Sequence, residues 1–186
     1  MRIRSYATFR AAILTLALPA ALAAQQTPAA PSANPITTAL KARTLGLQRN
    51  IAHAFDSIPA SKFSDSRTPA ELAIRSLVQS LTNDDYLFCN LFGDQKAVRE
   101  RGTSTPDSVK ATPIDTLLAR LKASFTFCED ELAQVDDSKL SDLVAVSFGG
   151  PPPPPVTRVW AVLSHALNLA THDAQIAVYA RLNFYR

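Results

Sequence analysis

Three side chains able to ligate a metal or form hydrogen bonds fall on one stripe of a helical segment, Trp160–Asn183. His165, Asn168 and His172 are spaced i, i+3 and i+7, which keeps them within about 60° of one another on a helix. Leu169, Ile176 and Tyr179 share the stripe, so its polar atoms face a core, where an imidazole without a partner is costly. Asp84 lies on the inner face of an earlier helical segment. With His165 and His172 it would make two imidazoles and a carboxylate, a ligand set that suits zinc. The two histidines are about 10 Å apart along the helix axis, whereas ligands on one helix usually sit one turn apart. The competing chemistry is a hydrogen-bonded network in which Ser80, Asp84, His165 and Asn168 satisfy one another, anchored by His172. A small-ligand pocket is the third.

Other candidates carry less. His53, between Ala52 and Ala54, falls off the apolar seam of its helix and is expected at the surface. Asp84-Asp85 and Asp136-Asp137 are acid pairs, but neighbours on a helix diverge by about 100° and make poor two-carboxylate constellations. No G-x-S-x-G elbow, H-E-x-x-H helix or phosphate-cradling glycine loop is present, and only 5 glycines occur in the chain.

Four helical stretches must position these residues. The first runs from about Pro35 to Ser57, with Leu40, Leu47, Ile51, Phe55 and Ile58 at three- and four-residue spacing. The second opens on Thr68-Pro69-Ala70-Glu71, which reads as a capping box with proline at the first helical position. Its inner face carries Ala73, Leu77, Leu81, Asp84 and Phe88. After a polar connection, Asp94–Ala111, the third starts at Thr112-Pro113-Ile114-Asp115. Its buried seam runs from Ile114 through Leu117, Leu121, Phe125, Cys128 and Leu132 to Val135. A long crossover follows, in which Lys139–Val146 suits a short helix and Val144–Phe148 suits an extended segment. Gly149-Gly150 and Pro151–Pro155 then make a stiff spacer before the last helix. The pattern predicts an all-α four-helix bundle.

Residues 1–24 read as a signal peptide: Arg2, Arg4 and Arg10 precede a short apolar run that ends in Ala21-Leu22-Ala23. A retained N-terminal anchor is the alternative. Residues 25–34 make a flexible lead-in and 35–183 one domain. The chain's 19 Lys and Arg lose three with the signal, which leaves 16 against 16 Asp and Glu. That balance argues against a nucleic-acid partner. No later segment is apolar enough to span a membrane, so the expected location is periplasmic or secreted. Cys89 and Cys128 would close a loop of roughly 40 residues if paired, worth about 4 kcal/mol in the chain-entropy account. Two buried free thiols beside Phe88 and Phe127 remain the alternative.

Several patches resemble exported DinB-like (YfiT-like) proteins. They are Phe63-Ser64, Arg67–Leu72, Asp85–Cys89, Phe127-Cys128-Glu129, His172–Gln175 and Tyr179–Asn183. The resemblance implies an up-down-down-up bundle and a divalent metal, zinc or nickel, held by three histidines. The family includes thiol-dependent transferases and isomerases, and many members read as metal-dependent hydrolases. The implied ligand positions fall on Ser80, Asn168 and His172, of which only His172 is a histidine. The expectation is therefore a degenerate metal site, with a small ligand or partner bound in the bundle core. The alternative is a metal-dependent hydrolase or thiol transferase that uses His172 with His165 and Asp84. A small molecule and a second copy of the chain are the partners this expectation admits.

Overall fold

The computed structural model describes residues 33–64, 73–94, 105–146 and 153–183. The segment expected to be a signal peptide and most of the expected lead-in lie outside the described residues. So do 65–72, 95–104 and 147–152. The described chain is mostly helical: α1 (Pro35–Asp56), α2 (Ile74–Phe92), a short α3 (Pro106–Ala111), α4 (Ile114–Ala133) and α5 (Arg158–Asn183). One small sheet pairs β1 (Leu143–Val144) antiparallel with β2 (Val156–Thr157). Helix α2 packs against α4 and α5, and α1 against α5 and α4. None of the described helices is long and apolar enough to cross a membrane.

The helix starts are decided by partners distant in sequence. Pro35 pre-sets the first turn of α1, but the cap comes from a residue about 100 positions away. The Asp137 carboxylate accepts the Ile36 and Thr37 N–H groups at 3.1 and 2.7 Å. Helix α2 begins at Ile74, and the expected capping box at Thr68–Glu71 lies outside the described residues. Ala73 is extended, and the Arg75 N–H donates to the Phe63 carbonyl at 2.9 Å. Phe63 is buried and lies 6.2 Å from the Phe55 ring, so core packing brings that carbonyl to the helix start.

The polar connection Asp94–Ala111 contains α3. Thr105 caps it by accepting the Ser108 N–H, and Pro106 takes the first position. Thr112 therefore closes α3 instead of opening the next helix, and α4 starts one residue past Pro113. In the crossover, the expected choice between helix and strand divides in two. A 3-10 turn covers Asp137–Lys139, and Leu143–Val144 is the strand. Arg158 then links the sheet to α2, with its guanidinium donating to the Phe92 carbonyl and pairing with Asp94 and Asp142, both at 3.6 Å.

Helix α2 ends at Phe92, and the next position holds glycine because nothing larger fits. A Cβ there would meet the Cys89 carbonyl at 2.7 Å and collide with the buried Glu131 carboxylate.

The core divides into two apolar clusters, and the division positions the site. Leu81 of α2, Leu121 of α4 and Leu169 of α5 belong to one cluster. Cys89, Cys128 and Val162 of the same helices belong to the other. Between these positions each helix contributes polar residues: Asp84 and Asp85, Ser124, and His165 and Asn168.

Candidate functional site

The polar layer has two tiers, one closed and one partly open. In the closed tier, Asp85 and His165 are both fully buried and share a proton between Oδ1 and Nε2 at 3.0 Å. The Ser124 hydroxyl donates to the other oxygen, Oδ2, at 2.8 Å. Burial pushes the Asp85 carboxyl above its ordinary value. The hydrogen bonds from His165 and Ser124 and the His165 charge oppose that rise, while the adjacent Asp84 carboxylate adds to it. The Phe88 and Phe92 rings lie 6.3 and 5.8 Å from the imidazole and keep water from it.

The sequence pattern put Asp84 and Phe88 on the inner face of α2. The buried face is turned by about one residue, through Leu77, Val78, Leu81, Asp85, Cys89 and Phe92. Cys89 and Cys128 are joined in a disulfide that ties α2 to α4. That bond orients α2, and Asp85, one turn before Cys89, follows it inward.

In the open tier, the Asp84 carboxylate is a hub. Its Oδ2 accepts the Asn168 amide N–H at 3.1 Å and lies 3.4 Å from His172 Nε2. The Asp84 side chain is 34% exposed and that of His172 11%. Asn168 Oδ1 and His172 Nδ1 are buried with no hydrogen-bond partner among the described residues. Ser80 is half-buried one turn before Asp84 on α2, and His53 is exposed on α1.

The structure thus brings Asp84 together with Asn168 and His172, and gives His165 to Asp85 instead. Among the described residues, one group of three His, Cys, Asp or Glu side chains has all its ligand atoms within 4.8 Å of one another: Cys89, Cys128 and His165. Two of those atoms are bonded to each other as the disulfide. The positions at which the resemblance implied three histidines offer a hydroxyl, an amide and one imidazole. Neutral hydroxyl and amide oxygens bind zinc or nickel poorly, and the amide presents its N–H to a carboxylate. This donor set does not fit such an ion.

Sequence reasoning passed over Ser124 and Glu131, both fully buried. Their signal was present. Leu117, Leu121, Ser124, Cys128 and Glu131 alternate four- and three-residue steps, so two polar residues occupy seam positions of α4.

No protein-family model matches the sequence, and no curated protein matches it. Solved structures do resemble it in fold. A conserved protein from Enterococcus faecalis aligns with a TM-score of 0.59 at 16% identity, over 81% of this chain and 98% of that one. A mycothiol-dependent maleylpyruvate isomerase aligns with a TM-score of 0.58 at 9% identity, over 75% of this chain and 60% of that one. A mutant of that enzyme gives the same values. At these identities the likeness is one of fold, and it is consistent with the DinB-like architecture expected from the sequence patches.

Proposed function

We propose that the chain is an exported, DinB-like four-helix bundle, up-down-down-up with a long crossover before its last helix. Its ancestral metal site is degenerate, and its core binds a small polar ligand without metal catalysis. The observation that carries this reading is the Asp84 hub. Asn168 and His172, at two of the three implied ligand positions, direct nitrogen atoms at one carboxylate oxygen, so hydrogen bonds do the cross-linking that a cation would do. Asn168 Oδ1 and His172 Nδ1 are left to a ligand that carries its own N–H or O–H donor. Export is supported by the disulfide, a bond that persists in oxidising compartments.

The alternative, a divalent-metal hydrolase or thiol transferase using His172, His165 and Asp84, requires His165 to leave its buried carboxylate. Metal analysis of the oxidised protein separates the two. The expected result is no stoichiometric zinc or nickel in either wild type or His172→Ala. One equivalent of metal in wild type, lost in His172→Ala, would overturn the proposal. A ligand-bound protein should melt higher in proportion to ligand excess, and Asn168→Ala should remove that shift.

A further inference from the structure

A disulfide asks for no polar neighbours, yet Cys89–Cys128 lies against a buried imidazole and a buried carboxylate. Cys89 Sγ is 3.8 Å from His165 Nε2. Cys128 Sγ is 3.5 Å from the Asp85 carbonyl oxygen, and Asp85 Oδ1 is 3.0 Å from the same His165 nitrogen. Asp85, Cys89, Cys128 and His165 are all fully buried. An apolar cross-link between α2 and α4 does not account for a carboxylate and an imidazole at its side. Their chemistry does fit a metal. Two soft sulfurs and one imidazole nitrogen, contributed by three helices, make a three-ligand set suited to zinc with a fourth position open, and the three atoms lie within 4.8 Å of one another. In a tetrahedral zinc site the nitrogen–sulfur edge is about 3.6 Å, from bond lengths of about 2.0–2.3 Å. The observed 3.8 Å lies near it. The sulfur–sulfur edge is too short, because the sulfurs are bonded. Asp85 stands beside the site, 3.0 Å from His165 Nε2.

We infer that reducing Cys89–Cys128 creates a binding site for a divalent transition metal, held by Cys89, Cys128 and His165 with Asp85 beside the imidazole, so that disulfide and metal are alternative cross-links of one core. A dithiol reductant supplies two electrons and two protons. The S–S bond breaks, two thiols form, and the dithiol becomes a disulfide. Metal binding then displaces two protons, one from each thiol, while the proton between His165 and Asp85 goes to the carboxyl and frees Nε2. The resulting centre of one divalent ion, two thiolates and a neutral imidazole carries no net charge. Both sulfurs are buried, so reduction proceeds through local opening of the helices around them. The site uses neither Asp84 nor His172 and is independent of the ligand-binding proposal.

The test is to reduce the full protein with a phosphine, remove the reagent anaerobically, and titrate with cobalt(II) while monitoring helicity. The expected result is one equivalent bound, with thiolate-to-cobalt charge-transfer absorption and retained helix. The oxidised protein should show no such band. Cys128→Ser should abolish the band, His165→Ala should weaken binding at least tenfold, and His172→Ala should leave it unchanged. Asp85→Asn should weaken it roughly 10- to 100-fold. If His165→Ala does not fold, X-ray absorption of the zinc-loaded wild type decides, with sulfur expected at about 2.3 Å beside nitrogen or oxygen at about 2.0–2.1 Å. Reduced protein without a charge-transfer band, a band indifferent to His165, a shell without sulfur, or helix lost on reduction and not restored by metal would each overturn the inference.

Discussion

The chain contains two Asp-Asp doublets, and they behave in opposite ways. Asp84-Asp85 sits inside α2, between the two apolar clusters. The helical rotation of about 100° splits the pair, sending Asp85 to His165 in the closed tier and Asp84 to Asn168 and His172 in the open one. Asp136-Asp137 opens a 3-10 turn at the rim. There each carboxylate meets hydrogen-bond donors at a helix start. Asp136 accepts the Ser138 and Lys139 N–H groups, and Asp137 accepts those of Ile36 and Thr37. Burial raises the Asp85 carboxyl. The Ser138 hydroxyl is the largest influence lowering Asp136. For Asp137, desolvation works to raise the carboxyl, but the N–H groups of Thr37 and Ile36 outweigh it. One dipeptide therefore cross-links helices through buried polar contacts in one place and caps two helix starts in the other. The surroundings that fold around it make the difference.

The contrast is sharpest at Asp85. Asp85→Ala removes the partner of a fully buried imidazole and of the Ser124 hydroxyl, so it should cost about 3–5 kcal/mol in urea unfolding. A cost under about 1 kcal/mol would mean that the closed tier contributes no more than a surface pair. Asp84→Ala should cost far less, about 1 kcal/mol or less, because a third of that side chain is in water. It should instead alter ligand-induced stabilisation. If the two costs come out equal, the division into tiers fails.

The same contrast explains what was legible in the sequence. The all-α character and four long helices followed from apolar residues recurring at three- and four-residue steps, a local property. Helix starts were read less well. The N–H of Arg75 is taken by Phe63, and those of Ile36 and Thr37 by Asp137, and neither partner is visible in a window of local sequence. The site was half legible. The stripe of His165, Asn168 and His172 faces inward as its spacing predicts, and Asp84 meets His172, but the acid beside His165 is Asp85, one residue further on. Cys89 held the missing information. A cysteine bonded to α4 must face the core, and Asp85, four residues before it, must face the same way. The disulfide and the helical period together turn Asp85 toward His165.

The smallest effect expected is also the one that separates the doublets by sign. The raised folded-state value of Asp85 means that the native protein holds its proton to higher pH than the unfolded chain, whose Asp titrates near about 3.9. Its contribution is fully present below that value and is lost as pH rises through the folded-state value. Asp137 is lowered, so its contribution is present above about 3.9 and is lost as pH falls through its own depressed value. Asp137→Asn should therefore lower Tm at neutral pH by a few degrees, about 4 °C or less, and the deficit should shrink on acidification below about pH 4. The stability of wild type relative to Asp85→Asn should move the other way, declining as pH rises from about 4. Melting both variants beside wild type across this range gives two slopes, and slopes of the same sign would show that the doublets are not electrostatic opposites. The Asp137 slope tests mainly the cap, because two backbone N–H groups about 100 residues away in sequence hold that carboxylate ionised, with the Thr37 hydroxyl and the Lys41 charge adding to them.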